Sequence, residues 1–504
     1  MKKKNMLIGM IVINIISMIL GFLRDTSIAY SLGATNISDI FIFITNLPTV
    51  LFSAIGWVIM STFVPVYTDV MLNDSEDNMN KFANTFIKLI AITSTTIMIL
   101  LYIFNKSAIS ILAPGFKYEN FELTKKLFFI VLPSFVLLTI SSCLCAILNS
   151  YKKMLWVSSI GIPVNVMIIV GILFIYPSLG IEAAVGMMII ASIIQVVILI
   201  IPLKNTKFKF SLDFDLHNRN IKRILGMIGP MFIGVMAQQI NMMFGGAITS
   251  MLSSGSLTAY NLANKVTNAA YNSIILIGIS FIFPYLSENF SKGKFEMYIN
   301  QIKKSIDLIF IILIPIGILL IILSDEIVSI LYGYGKFSAK DIELTGSILI
   351  FLSVGIVGLG IKELINRAFY ASNNTKTPMI YSIFGIIINI VLSVLLIKKL
   401  GVIGVAIGST VSTVISSYLV LRAFQRESNV KSIINKIMIL KYLTIMIILF
   451  ILSKIIKTKL YLFCDLKIIN MILISIIIIA MYLILLRVFN IRIMKYFNET
   501  IGKE

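Results

Sequence analysis

The chain has 504 residues, of which 58 % are hydrophobic and 13 % charged, with a mean hydropathy of +0.98 and a net charge of +20. A soluble domain carries about 25 % charged residues, so this chain has too few to coat a water-soluble surface. That excludes a soluble enzyme, a secreted disulfide-linked domain and a disordered protein, and leaves an integral membrane protein with room for about fourteen spans of about 20 residues.

Apolar runs bounded by charged or turn residues fall near 6–31, 39–68, 81–104, 127–149, 154–176, 180–203, 221–252, 258–287, 305–324, 343–370, 375–397, 400–421, 434–455 and 466–488. The expected fold is therefore all-α, with about 14 transmembrane helices. Pro48, Pro133, Pro163, Pro230 and Pro315 lie inside runs and are expected to bend them. Lys2, Lys3 and Lys4 precede the first run, and no small-residue cleavage site follows before the next one, so this segment is expected to stay as an anchor. With the N-terminus inside, 26 of the 43 basic residues fall in inner segments and 12 in outer ones. That bias predicts both termini in the cytoplasm and assigns the charge to topology and anionic lipid heads, with no nucleic acid as partner. The expected organisation is an N-terminal lobe over 1–203, a cytoplasmic linker over 204–220, a C-terminal lobe over 221–430, and two additional helices with a cytoplasmic tail over 431–504. Paired halves around a central cavity are a common transporter plan.

Chemistry by nucleophile, metal or nucleotide has little to work with. Cys143, Cys145 and Cys464 with the single His217 make neither a disulfide framework nor a zinc site. No metal, cofactor or ATP site is expected, so any transport must run downhill or on an ion gradient or the membrane potential. The informative residues are charges inside the apolar runs. Apart from those at the run ends, five basic residues lie there: Arg24, Lys88, Lys265, Lys362 and Lys441. Lys88 and Lys441 stand near inner ends and can snorkel. Arg24 lies roughly 27 Å along the first span and Lys265 roughly 10 Å below the outer surface, by helix rise. A charge in hydrocarbon costs at least a few kcal/mol and should face protein or a wet cavity. Asp25 adjoins Arg24 and Asp39 opens the second run, which fits either a structural ion-pair set or a cationic site for an anionic substrate. Lys362 and Glu363, a candidate inner-half or gate pair, are adjacent and so do not face each other on a helix. Polar side chains on the fifth, seventh and eighth runs (Asn165, Gln238, Gln239, Asn241, Asn261, Asn264, Asn268, Asn272) fit either contacts to a polar substrate or helix-to-helix bonding.

Several motifs follow in order: Gly21-Phe22-Leu23-Arg24-Asp25, Leu32-Gly33-Ala34, Ser38-Asp39-Ile40-Phe41, Asn46-Leu47-Pro48, Phe63-Val64-Pro65, Leu112-Ala113-Pro114-Gly115-Phe116, Ala146-Ile147-Leu148-Asn149-Ser150, Tyr334-Gly335-Lys336-Phe337, Arg367-Ala368-Phe369-Tyr370-Ala371 and Asn374-Thr375-Lys376-Thr377-Pro378. Over roughly residues 10–430 the chain resembles the MurJ/MviN lipid II flippases of the multidrug/oligosaccharidyl-lipid/polysaccharide exporter superfamily. The resemblance implies a fourteen-helix flippase of the bacterial plasma membrane. Two six-helix lobes would alternate access to a cationic cavity, and the last two helices would add a groove for the lipid tail. The implied cargo is undecaprenyl-pyrophosphate-linked peptidoglycan precursor, with membrane lipids and proteins of cell-wall synthesis as further partners. Arg24 and Asp25 match the family's first-helix pair and Asp39 its acidic second-helix position. Lys265, in Ala263-Asn264-Lys265-Val266, stands where the family usually has Arg. Ser17-Met18 and Thr49-Val50-Leu51-Phe52 stand where the family has further basic residues, so an exporter of another polyprenyl-pyrophosphate oligosaccharide (a capsule or O-antigen unit) stays open. A cation-coupled drug antiporter would need membrane carboxylates, and Ile224 to Leu252 and Thr377 to Leu421 contain none. A non-transporting scaffold is the remaining alternative.

Overall fold

The computed structural model describes residues 2–116, 119–272, 277–372, 374–430, 433, 436–460 and 467–491. Cys464, Lys117 and the tail beyond residue 491 lie outside these, as do the side chains of Gln238 and Asn241. The described residues are mostly helical, with no strand among them. In chain order they form α1 (Lys2–Leu32), α2 (Asn36–Asn73), α3 (Glu76–Ile103), α4 (Asn105–Leu112), α5 (Glu119–Ser150), α6 (Met154–Ser158) and α7 (Gly161–Val170), then a π-helical turn (Gly171–Ile175) leading into α8 (Tyr176–Leu203). After the segment 204–218 come α9 (Arg219–Thr249), α10 (Ser256–Tyr271), α11 (Ile277–Ser291), α12 (Phe295–Ile322), α13 (Ser324–Tyr332), α14 (Ala339–Val354), α15 (Ile356–Ala371), α16 (Lys376–Glu427), α17 (Lys436–Leu460) and α18 (Lys467–Val488).

Among the described residues, nine helical stretches are long and apolar enough to cross a membrane, or ten if α14 and α15, bent by 42°, are one span. Two of the nine, Met154–Leu203 and Lys376–Glu427, are double length and each holds two of the expected runs. Their breaks fall at Gly180 (φ 79°) and Gly401 (φ 57°), left-handed conformations that a side chain resists. Pro48, Pro65, Pro133 and Pro315 remain inside continuous helices.

The chain divides into two compact units. The first comprises Met1–Thr258 with Tyr334–Ser338, the second Ala259–Gly333 with Ala339–Glu504. Thus α9, counted by the sequence reading with the C-terminal lobe, packs in the first unit. In that unit α2 and α5 form the centre. Phe63, from the Phe-Val-Pro motif, is fully buried and stacks on Phe86, Tyr67 and Phe82 at ring separations of 4.5, 5.1 and 5.4 Å. Each such pair adds about 0.5–1.5 kcal/mol; that matters here because lipid supplies no hydrophobic drive for helices to associate. Ala146 to Leu148 on α5 are buried against the same cluster, as are Cys143 and Cys145. In the second unit α12 packs against α17 and α18 through Ile314, Ile318, Tyr442, Leu449, Ile478 and Tyr482.

Candidate functional site

In the first unit the two charged motifs differ in what they hold. Arg24 and Asp25 are neighbours on α1, and the guanidinium bends sideways to reach its neighbour. Its Nε and one Nη donate to the same Asp25 oxygen, each at 2.9 Å. Asp25 is buried, whereas the Arg24 side chain keeps 20 % of its surface. The acid therefore fixes the cation's orientation and leaves part of the guanidinium free for another anion, as a fork-shaped donor set allows.

Asp39 does something else. Thr35 and Ser38 close a reciprocal cap on α2, with Ser38 N–H donating to Thr35 Oγ1 and Thr35 N–H donating to Ser38 Oγ. Asp39, next in the chain, turns to the first turn of α10. Its Oδ2 accepts from Gly255 N–H at 2.8 Å; its Oδ1 accepts from Thr258 N–H at 2.8 Å and Thr258 Oγ1 at 2.6 Å. A helix start leaves such N–H groups unpaired and carries positive dipole charge, so Asp39 caps α10 from a distant helix. It is 3 % exposed.

The same end of this unit gathers other motifs. Lys336 N–H donates to the Tyr30 carbonyl at 2.9 Å, and its ammonium lies 5.9 Å from the centre of the Tyr176 ring. Gly335 (φ 65°) presses on Tyr30 and Gly255 (φ 83°) on Ala34, each so closely that a Cβ would overlap a backbone carbonyl. Gly115 N–H donates to Ser250 Oγ, and Phe116 packs edge-on against Phe43. The turn after α1, the turn before α10 and the segment Tyr334–Ser338 thus form one tightly joined set.

Of the polar candidates, Asn165 donates to the Ser17 carbonyl of α1 at 3.3 Å, a helix-to-helix bond. Gln239 on α9 is 8 % exposed, and its Nε2 reaches Ser53 Oγ at 3.4 Å. Its Oε1 has no hydrogen-bond partner among the described residues.

In the second unit, Lys265 and Asn264 lie half-buried on α10, and Asn264 Oδ1 accepts from Asn268 one turn on. Lys362 and Glu363 have different neighbours. Glu363 pairs with Arg367, one turn later, at 2.9 Å, and Arg367 also lies 5.7 Å from the Phe283 ring centre. The Lys362 ammonium points at Gly385 of α16, where a Cβ would stand 3.8 Å away. The sequence reading did not pair Arg367 with Glu363 because it counted Arg367 among the inner charges at the end of a run; the spacing of four was the available signal. Asn374 and Thr377 each donate to the Glu427 carboxylate, at 2.7 and 2.8 Å, which ties the two ends of α16 together.

This unit also holds an apolar cavity of about 500 Å³ between α12, α14, α15 and α17, lined by Phe310, Ile314, Ile350, Tyr442, Met446 and Phe450 among others. Lys457 fastens α17 nearby, donating to the Ile322 carbonyl and pairing with Glu326. Among the described residues no group of His, Cys, Asp or Glu could hold a metal ion.

A many-span helical protein with charges on its spans has the architecture of a multi-pass membrane protein, and known structures share its fold. The chain superposes on an inward-facing multidrug transporter of the MATE family, MOP superfamily, with a TM-score of 0.71 over 84 % of this chain and 98 % of that one; at 16 % identity they share the fold alone. The lipid II flippase MurJ in an inward closed conformation matches with a TM-score of 0.80 and 26 % identity, covering 96 % of this chain and 98 % of that one. The family model for lipid II flippase MurJ matches residues 28–477, and the chain belongs to that family. Relatives described as probable lipid II flippase MurJ include one from Rickettsia prowazekii, 29 % identical over 79 % of each chain. Another, from Buchnera aphidicola of Schizaphis graminum, is 26 % identical over 99 % of each.

Proposed function

We propose that this chain carries the undecaprenyl-pyrophosphate-linked peptidoglycan precursor from the inner to the outer leaflet of the bacterial plasma membrane by alternating access, with both termini in the cytoplasm. The observation that carries the reading is Arg24, a membrane cation oriented by Asp25 and left with an accessible face. A pyrophosphate cannot cross about 30 Å of hydrocarbon unaided, and oriented cations replace its hydration. Arg24 is the cation assigned to it, and Lys265 is assigned to the cargo within its own unit. Gln239, with an unsatisfied carboxamide oxygen, is assigned to a hydroxyl or amide of the head group. The apolar cavity lined by α12 and α17 takes the polyprenyl tail. Asp39 serves as a latch rather than a ligand, because its carboxylate is occupied by the start of α10. Lys362 and the Glu363–Arg367 pair act in the inner half as gate residues. Cell-wall synthesis proteins are the natural recipients of the exported precursor.

Complementation of a flippase-depleted bacterium tests the reading. The chain should restore growth and display of precursor on the outer leaflet. Restored capsule export without restored peptidoglycan precursor would assign another polyprenyl-pyrophosphate cargo.

A further inference from the structure

The segment between α8 and α9 alternates strictly between apolar and polar residues: Phe208, Phe210, Leu212, Phe214 and Leu216 against Lys207, Lys209, Ser211, Asp213, Asp215 and His217. Such a period of two is that of an extended chain with one apolar face. Its backbone partners agree. Only odd-numbered residues bond to α3: Asn80 donates to the Lys207 carbonyl and accepts from Lys209 N–H. Asn84 donates to the Lys209 carbonyl, Lys88 donates to the Asp213 carbonyl, and Asp215 N–H donates to Thr85. Phe208 and Phe210 stand edge to face at 4.9 Å, as neighbours on one face do. Phe208 is buried, but Phe210, Leu212, Phe214 and Leu216 are 56, 95, 47 and 44 % exposed.

Four adjacent apolar side chains turned outward from a polar strap need an occupant, and their depth supplies one. A span needs about 20 residues to cross the hydrocarbon. Counting back that far from Ile103, the end of α3, reaches Asn84, so the strap lies level with the membrane boundary. Lys88 marks the same level. It is the one charged residue between Phe82 and Ile103, and its ammonium must sit at the interface, where it bonds the strap's own carbonyl. Further along α3, Ile92, Ile99 and Leu100 are exposed apolar residues as well. Lys204, at the start of the segment, is exposed and adds positive charge suited to anionic head groups, whereas Lys207 pairs with Glu76.

We propose that residues 208–216 are a membrane-surface strap whose Phe210, Leu212, Phe214 and Leu216 insert into the lipid leaflet, while Lys209, Asp213 and Asp215 face water. It rests on the orientation proposed above only for naming the leaflet the inner one. The test uses the full chain in liposomes with Trp57→Phe and Trp156→Phe, so that a single tryptophan at Leu212→Trp reports. A face held about 5–10 Å into the head-group boundary should lose about half its emission to phosphatidylcholine brominated near the top of the acyl chain and be shielded from aqueous iodide. Asp213→Trp should show the reverse. A spin label at Leu212→Cys, in a Cys464→Ser background with Cys143 and Cys145 buried, gives the same reading through oxygen against a water-soluble paramagnetic reagent. Iodide quenching of Leu212→Trp without bromine quenching, or identical behaviour at 212 and 213, would overturn the proposal. So would a spin label reached from water alone.

Discussion

Arg24 reaches a carboxylate on the adjacent residue through two nitrogens, and only a guanidinium can do that while offering a further face. Arg24→Ala is therefore expected to abolish transport with normal membrane insertion. Arg24→Lys should retain charge but lose orientation, and fall by about tenfold or more, since a charge-assisted hydrogen bond is worth about 1.5–3 kcal/mol. Both are read by complementation at matched protein level; normal growth of the alanine variant would remove Arg24 from the substrate path. Lys265 is assigned a charge rather than a fork of donors, so Lys265→Arg should be tolerated and Lys265→Gln should fail. Equal transport of a lipid-linked substrate by the Gln and Lys forms would sink its role.

Helices are held at their ends by single residues from elsewhere, and there the consequences of substitution can be worked out. In Asp39→Asn one oxygen can still accept from Thr258, but the new NH2 would face the Gly255 N–H, donor against donor. The expected cost is about 1–3 kcal/mol for a buried group left unpaired, seen as a lower thermal midpoint in detergent; an unchanged midpoint would refute the capping role. Gly335→Ala should be worse tolerated than alanine at Gly229, which has open space around it, because Gly335 sits at φ 65° against the Tyr30 carbonyl. Equal yields of the two folded variants would contradict this. Much at this scale could be read from the chain alone. The apolar runs give the helices, because hydrocarbon dictates their length and composition, and Leu-Gly at 179–180 and 400–401 divides runs the helix geometry joins. The Asp39 cap could not be read, since its donors lie 216 and 219 residues away. Nor could the strap along α3, whose bonds run through backbone groups that every residue shares. Glu363 and Arg367 were legible by spacing and were obscured only by the placement of a span end.

For the molecule as a whole, the seventh, eleventh and twelfth runs contain no carboxylate, so a bare Na⁺ there would lack the negative charge that offsets its desolvation. The membrane potential supplies about 2.3 kcal/mol per charge per 100 mV, and an inside-negative potential drives an anionic head group outward. Transport should therefore collapse with the potential and ignore replacement of Na⁺ by K⁺ at fixed potential; steep Na⁺ dependence in vesicles held at zero potential would overturn this. The two glycine breaks lead further. Asn36, Glu76, Asn105 and Glu119 begin α2, α3, α4 and α5; Ser256, Phe295, Ser324 and Ala339 begin α10, α12, α13 and α14, in each case 219–220 residues later. Gly180 and Gly401 are separated by 221 residues, as are the buried Phe116 and Phe337. An interval held at 219–221 residues across six landmarks means that the second half of the chain repeats the joints of the first, in the same order and at the same spacing, although the side chains between them differ.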